Sequence, residues 1–160
     1  MGVVGVGKTT IASRLAADLG WKFVDADQFH SANSVAKIAA NIPLDDADRK
    51  PWLDALHNEI QRWQTESRNV TLACSALKQS YRAQLANNSA DGTNNLQFVY
   101  LKAPVAIIQH RLAERQGHFA NENLLPSQLA TLEEPADAIT VDASRSPEEI
   151  IQEIRRQLPL

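Results

Sequence analysis

The chain has one cysteine, Cys74, so it closes no internal disulfide, and a lone thiol suits a reducing cytosol. It has no apolar run of membrane-spanning length and no signal peptide. It has no excess of positive charge: 16 Lys and Arg stand against 19 Asp and Glu, for a net charge of −3. That balance argues against nucleic-acid or anionic-membrane partners, and the scattered basic residues make any anion site a local one. Met1-Gly2 lacks the Ser or Thr at the sixth position that myristoylation wants; Val6 stands there. There is no internal repeat and no low-complexity segment. What is left is 160 residues, 44% hydrophobic, enough for one domain (1–160) with a real core.

What is present starts at once. Gly2, Gly7, Lys8 and Thr9 fit the phosphate-loop pattern G-x-x-x-x-G-K-S/T, with Val3, Val4, Gly5 and Val6 in the variable places. Glycines let successive backbone N–H groups turn inward on phosphate oxygens. Lys8 can then reach the β- and γ-phosphates of ATP, and the Thr9 hydroxyl can ligate Mg²⁺. A chance glycine cluster is the alternative, but the context supports the loop. From Thr10 to Leu19 the chain reads as a helix, with Ile11, Leu15 and Leu19 on one face and Gly20 at its C-terminal stop. One part is missing. Such a loop should follow a buried strand at the middle of a sheet, and only Met1 precedes it. The expectation is a parallel sheet whose central strand is absent from the chain start, leaving a weakened protein.

Trp21 to Asp25 reads as a strand, ending in Asp25-Ala26-Asp27 with His30 just beyond. Strand ends carry the ligand in open α/β sheets. Asp25 is a candidate for holding Mg²⁺ through water, and Asp27 for meeting a substrate hydroxyl. The competing explanation is a turn with capping aspartates. Ser34 to Ala40 looks helical. A longer helix starts near Asp46 to Asp48 and carries Trp52, Leu56, Ile60 and Trp63 on one face; Pro51 fits it only within the first turn. Arg49 and Lys50 oppose the dipole at that end. They are either functional or a solvated pair neutralised by their aspartates.

Asn69 to Cys74 is an apolar run suited to a strand buried on both faces. The helix expected from Ser75 places Lys78 and Arg82 one turn apart, an unfavourable pair unless an anion lies between them. A polar loop spans Asn87 to Asn95, and Leu96 to Leu101 is the next strand. A helix from Pro104 to about Gln116 brings Arg111 and Arg115 one turn apart before Gly117-His118-Phe119. That arrangement suits a lid, about residues 117–135, whose cations close over phosphate. The alternative is a helix end that simply favours cations. Ala138 to Asp142 is the last strand, and Ser146-Pro147-Glu148-Glu149 caps a final helix. Alternating strands and helices give a phosphate-loop α/β three-layer sandwich.

In this order the motifs resemble those of the gluconate kinases. The resemblance rests on Gly2 to Thr9, Asp25 to His30, Leu44 to Trp52, Cys74 to Arg82, Arg111 to Phe119 and Gln128 to Pro135. The phosphate loop alone is unspecific. The stretches Asp48-Arg49-Lys50-Pro51-Trp52, Cys74-Ser75-Ala76-Leu77-Lys78 and Gly117-His118-Phe119 together are highly specific. The resemblance implies a cytoplasmic enzyme, often a homodimer, that uses Mg-ATP to convert D-gluconate to 6-phospho-D-gluconate for the pentose phosphate or Entner–Doudoroff route. It implies that Lys8, Asp27 and Arg115 act in catalysis. It places ATP on Gly2 through Thr10 with Arg111 and Arg115, and the sugar acid on Asp27, His30, Arg49, Lys78, Arg82 and His118. Val4 and Val6 depart from it, standing where that family has small polar residues, and the segment from Pro135 to Val141 is short. Shikimate kinases share the loop and the Asp-x-Asp but carry a glycine triplet where this chain has Ser75-Ala76-Leu77. A nucleotide-binding module without turnover is the rival from another class.

Overall fold

The computed structural model describes residues 1–86, 95–114 and 124–159. Helix α1 (Lys8–Leu19) buries Ile11, Leu15 and Ala16, and stops at Gly20, whose left-handed backbone (φ 68°) returns its N–H to Ala16 and Ala17. Strand β1 (Lys22–Asp25) leads into a 3₁₀ turn (Ala26–Phe29), α2 (Ala32–Ala39) and the long α3 (Asp46–Thr65). Then come β2 (Val70–Ala73), α4 (Gln79–Ala86), β3 (Val99–Lys102) and α5 (Val105–Glu114). The chain ends with α6 (Leu125–Thr131), β4 (Ile139–Asp142) and α7 (Pro147–Gln157), the last closed by the expected Ser146/Glu149 capping box.

The four strands form two parallel pairs. β1 lies on β2 with Lys22 opposite Val70 and Asp25 opposite Ala73. β3 lies on β4 with Val99 opposite Ile139 and Lys102 opposite Asp142. Each pair has its own core. Val24, Trp52, Leu56, Ile60 and Leu85 fill the one under β1 and β2. Val6, Leu101, Ile108, Val141 and Ile154 fill the one under β3 and β4.

Met1 and Gly2 lie between the pairs. Met1 donates its N–H to Val99 O, and its carbonyl accepts from Leu101 N–H at 3.0 Å, a parallel pairing with β3. Gly2 N–H reaches across to Ser75 O at 3.2 Å, just past β2. Met1 and Gly2 thus occupy the position, between the two strand pairs, expected of the strand before the loop. Beside it runs a cleft of about 560 Å³ lined by Val70, Leu72, Phe98, Val99 and Leu101.

Two local expectations are corrected. Pro51 is in the second turn of α3, not the first, because the helix already starts at Asp46. It removes one helical N–H. The Asp45/Asp48 capping box and the Lys37–Asp48 ion pair at 2.6 Å hold the first turn in place nonetheless. The second correction is the helix expected from Ser75, which begins only at Gln79. Ala76 has φ 45°, a left-handed conformation that a helix cannot continue through.

Candidate active site

The phosphate loop is built to receive an anion. Gly5 (φ 79°) and Gly7 (φ 106°) turn the backbone through conformations that other residues resist. A Cβ at Gly7 would meet nothing within 4 Å, so its outer face is open. α1 starts there with no side-chain cap and no acid in its first turn. Its first N–H groups and its dipole therefore face the cleft without a capping side chain. Val3 and Val6 point into the core, so they can offer phosphate only backbone. Arg111 braces the loop from behind, donating to Val6 O at 3.3 Å. Thr10 is exposed on the first turn of α1.

Lys8 Nζ donates to Val3 O at 2.9 Å, which holds the ammonium at the rim of the loop. The Thr9 hydroxyl donates to Asp25 Oδ2 at 3.1 Å. The other Asp25 oxygen accepts from Asp27 N–H at 3.0 Å and caps the 3₁₀ turn. Capping and site geometry are thus one feature here, not alternatives. A hydroxyl and a carboxylate side by side are the hard oxygen donors that Mg²⁺ prefers. The described residues contain no group of three or more His, Cys, Asp or Glu fit for a metal. That sparse set fits Mg²⁺, which keeps several waters and takes its other ligands from phosphate.

Across the cleft, the Asp27 side chain is 87% exposed, while His30 beside it is only 8% exposed. His30 Nε2 is 3.7 Å from Asp27 Oδ1. The imidazole stacks on Trp52, with ring centroids 4.8 Å apart and planes 12° from parallel. Trp52 is itself fixed by its Nε1–H bond to Ala26 O at 2.7 Å. Burial lowers the His30 pKa, with Asp27 opposing, so the ring is neutral at pH 7. His30 Nδ1 is buried without a hydrogen-bond partner among the described residues. Such a buried orphan is uncommon.

The cations expected at the sugar acid separate into different roles. Arg49 lines the cleft and bonds to Leu44 O, with its guanidinium 5.7 Å from the Tyr81 ring centroid. Its neighbour Lys50 turns to solvent and pairs with Asp54 at 2.9 Å. Lys78 is neutralised by Asp46 at 2.8 Å and lies 5.4 Å from the centre of the same tyrosine ring. The Tyr81 hydroxyl also donates to Asp46, and Lys78 first, then Tyr81, hold that carboxyl below its usual range. Arg82 turns inward. It is 6% exposed and donates to Ala76 O at 2.9 Å and Leu77 O at 3.0 Å, tying down the left-handed turn after β2. The structure therefore brings Lys8, Thr9, Asp25, Asp27, His30 and Arg49 to one cleft of about 200 Å³, and Lys78 and Arg82 are not in its lining. Arg115, His118 and residues 117–123 of the expected lid lie outside the described residues. From Leu124 onward that stretch is anchored: Leu125 is buried, and Glu133 N–H donates to Leu77 O at 2.9 Å. Cys74 is a buried thiol pushed up to about 11 by that burial, so it is not a nucleophile.

Sequence reasoning gave no role to Gln128, Asp46 or Tyr81, nor to the Trp52 stack. Each acts across the fold rather than along the chain, and Asp46 reads locally as one more acid at a helix start.

The shikimate kinase family model matches residues 4–159. The chain is 41% identical over 159 residues to the gluconokinase of Gluconobacter oxydans (strain 621H), covering 98% of this chain and 87% of that protein. It is 39% identical over 155 residues to the thermoresistant gluconokinase of Escherichia coli (strain K12), covering 94% of this chain and 86% of that one. The solved structure of a gluconokinase from Sinorhizobium meliloti 1021 superposes with a TM-score of 0.83 at 35% identity, over 96% of this chain and 85% of that one. With its phosphate loop, its Thr9–Asp25 pair and this likeness along nearly its whole length, the chain belongs to the gluconokinase family of phosphate-loop kinases.

Proposed function

We propose that this chain phosphorylates D-gluconate at its 6-hydroxyl with Mg-ATP, as a single cytoplasmic kinase domain. One observation carries the reading. Asp27 and Arg49, a proton acceptor and an anion receptor, face the same cleft as Lys8 and the Thr9–Asp25 pair. Bound Mg²⁺, held by Thr9 and through water by Asp25, would spread the charge of the β- and γ-phosphates. Asp27 orients the 6-hydroxyl and takes its proton as that oxygen bonds to the γ-phosphorus and the bond to ADP breaks. Lys8 follows the charge toward the leaving phosphate. Arg49 holds the sugar-acid carboxylate at the far end. Neutral His30 lines the cleft beside Asp27, where the resemblance places the sugar. The resemblance adds Arg115 toward ATP and His118 toward the sugar.

Asp27→Asn keeps the shape and removes the base, so kcat should fall about 10²-fold or more with little change in ATP affinity. Steady-state kinetics with calorimetric ATP binding checks this. If only ATP binding weakens, Asp27 belongs to the metal shell.

Arg49→Ala should raise KM for gluconate about 10- to 100-fold, the worth of a charge-assisted hydrogen bond in a partly dry cleft. Glucose, which lacks the carboxylate, should be a poor substrate of the parent enzyme. The proposal is tested by ATP consumption on a panel of gluconate, glucose and shikimate. Equal rates on gluconate and glucose would refute recognition through the carboxylate, and a preference for shikimate would replace the substrate.

A further inference from the structure

One hydrogen bond at the phosphate loop serves neither the core nor the residues assigned above. Val4 N–H donates to Gln128 Oε1 at 2.7 Å, joining the loop to α6 across 124 residues of chain. Gln128 is half-buried and lines the same cleft as Lys8, Asp27 and Arg49.

A carboxamide has two unlike ends. The backbone N–H of Val4 can only donate, so it fixes the oxygen toward the loop and the NH₂ away from it. That Nε2 has no hydrogen-bonded partner among the described residues. Lys8 marks which end of the loop this is. The ammonium rests on Val3 O, one residue from Val4. A phosphate-loop lysine serves the β- and γ-phosphates. The Val3–Val4 edge of the loop is therefore its γ-phosphate end, and Gln128 docks there.

We propose that Gln128 is a γ-phosphate contact that lets the site distinguish a nucleoside triphosphate from a diphosphate, its oxygen latched on Val4 and its NH₂ donating to a terminal phosphate oxygen. The proposal rests on the kinase reading but not on gluconate as the substrate. Two variants separate the donor from the latch. Gln128→Glu can still accept from Val4 N–H, but puts a negative oxygen where the donor was. Gln128→Met keeps the bulk and loses both ends.

The test is calorimetric binding of ATP and ADP, each with Mg²⁺, to the whole protein and both variants, with thermal melting to confirm folding. Gln128→Met should lose about tenfold in ATP affinity, the worth of one hydrogen bond to a charged group, and less than twofold for ADP. Gln128→Glu should lose more than Gln128→Met for ATP, because like charges meet. A latch alone predicts the reverse order, with Gln128→Glu behaving as the parent, and that result would overturn the proposal. So would equal losses for ATP and ADP. A panel that fails with gluconate while the ATP-to-ADP ratio still collapses would sink the substrate and leave Gln128 in place.

Discussion

Lys8→Met will abolish phosphoryl transfer while leaving the protein folded. Lys8 is the one side-chain cation of the loop pattern, and its ammonium stands at the Val3 rim of the cleft. Charge develops on the phosphates as the γ-phosphoryl group leaves, and a fixed cation beside it is worth far more there than in water. Removing one such donor from a preorganised site costs about 10²–10³-fold in kcat, and a full charge at the transferring group places this loss at or above that range. The fold should survive because the loop does not hang on Lys8. Gly2 bonds to Ser75 O, Arg111 to Val6 O, and Val3 and Val6 are buried in the core. Methionine keeps the stem's length and apolar contacts. Circular dichroism and thermal melting should match the parent, while ATP turnover disappears. A variant with near-normal turnover would remove the phosphate-loop assignment itself.

The loop, its helix and the aspartates were legible in the sequence because their chemistry is local. Lys8 and Thr9 are adjacent, Gly20 stops α1 where periodicity fails, and Asp25 ends a strand that its own residues announce. Cations were harder. Arg49 and Lys50 are neighbours with the same charge, yet one faces the cleft and the other Asp54 in solvent. Only the direction of α3 decides between them. Lys78 and Arg82 look like an anion clamp if Ser75 starts a helix. The left-handed Ala76 delays that helix to Gln79; Lys78, just before it, pairs with Asp46, while Arg82 folds back onto the backbone of its own loop. A non-glycine residue at positive φ leaves no trace in composition or periodicity. α3 starts within the expected Asp46 to Asp48, but the Asp45/Asp48 capping box fixes the start at Asp46 and so leaves Pro51 one turn further in than proline prefers. Gln128 was out of reach, since nothing in 124 residues of intervening chain ties it to Val4.

An apolar strand fused ahead of Met1 should raise both the melting temperature and the activity. Met1 already pairs in parallel with β3, and Gly2 reaches the end of β2. Residues added before them would run down the apolar cleft between the two strand pairs. Both faces of such a strand would be covered, so a continuous Val/Ile/Leu segment of about five residues is the right choice. Its backbone would complete ladders on the facing edges of β2 and β3. Each buried backbone group left without a partner costs ~1–3 kcal/mol, and a domain's whole net stability is only ~5–15 kcal/mol. Satisfying a few of them should lift the melting temperature by roughly 10 °C or more, at about 2–4 °C per kcal/mol for a chain of this size. Activity should rise with it, because the phosphate loop would then be held by a strand before it as well as by α1 after it. The control is the same extension with a central proline, which removes one ladder N–H and is excluded from a central strand. Melting curves and ATP turnover on the parent, the extended chain and the proline control decide the matter. An extension that stabilises no better than its proline control would show that the cleft does not accept a strand.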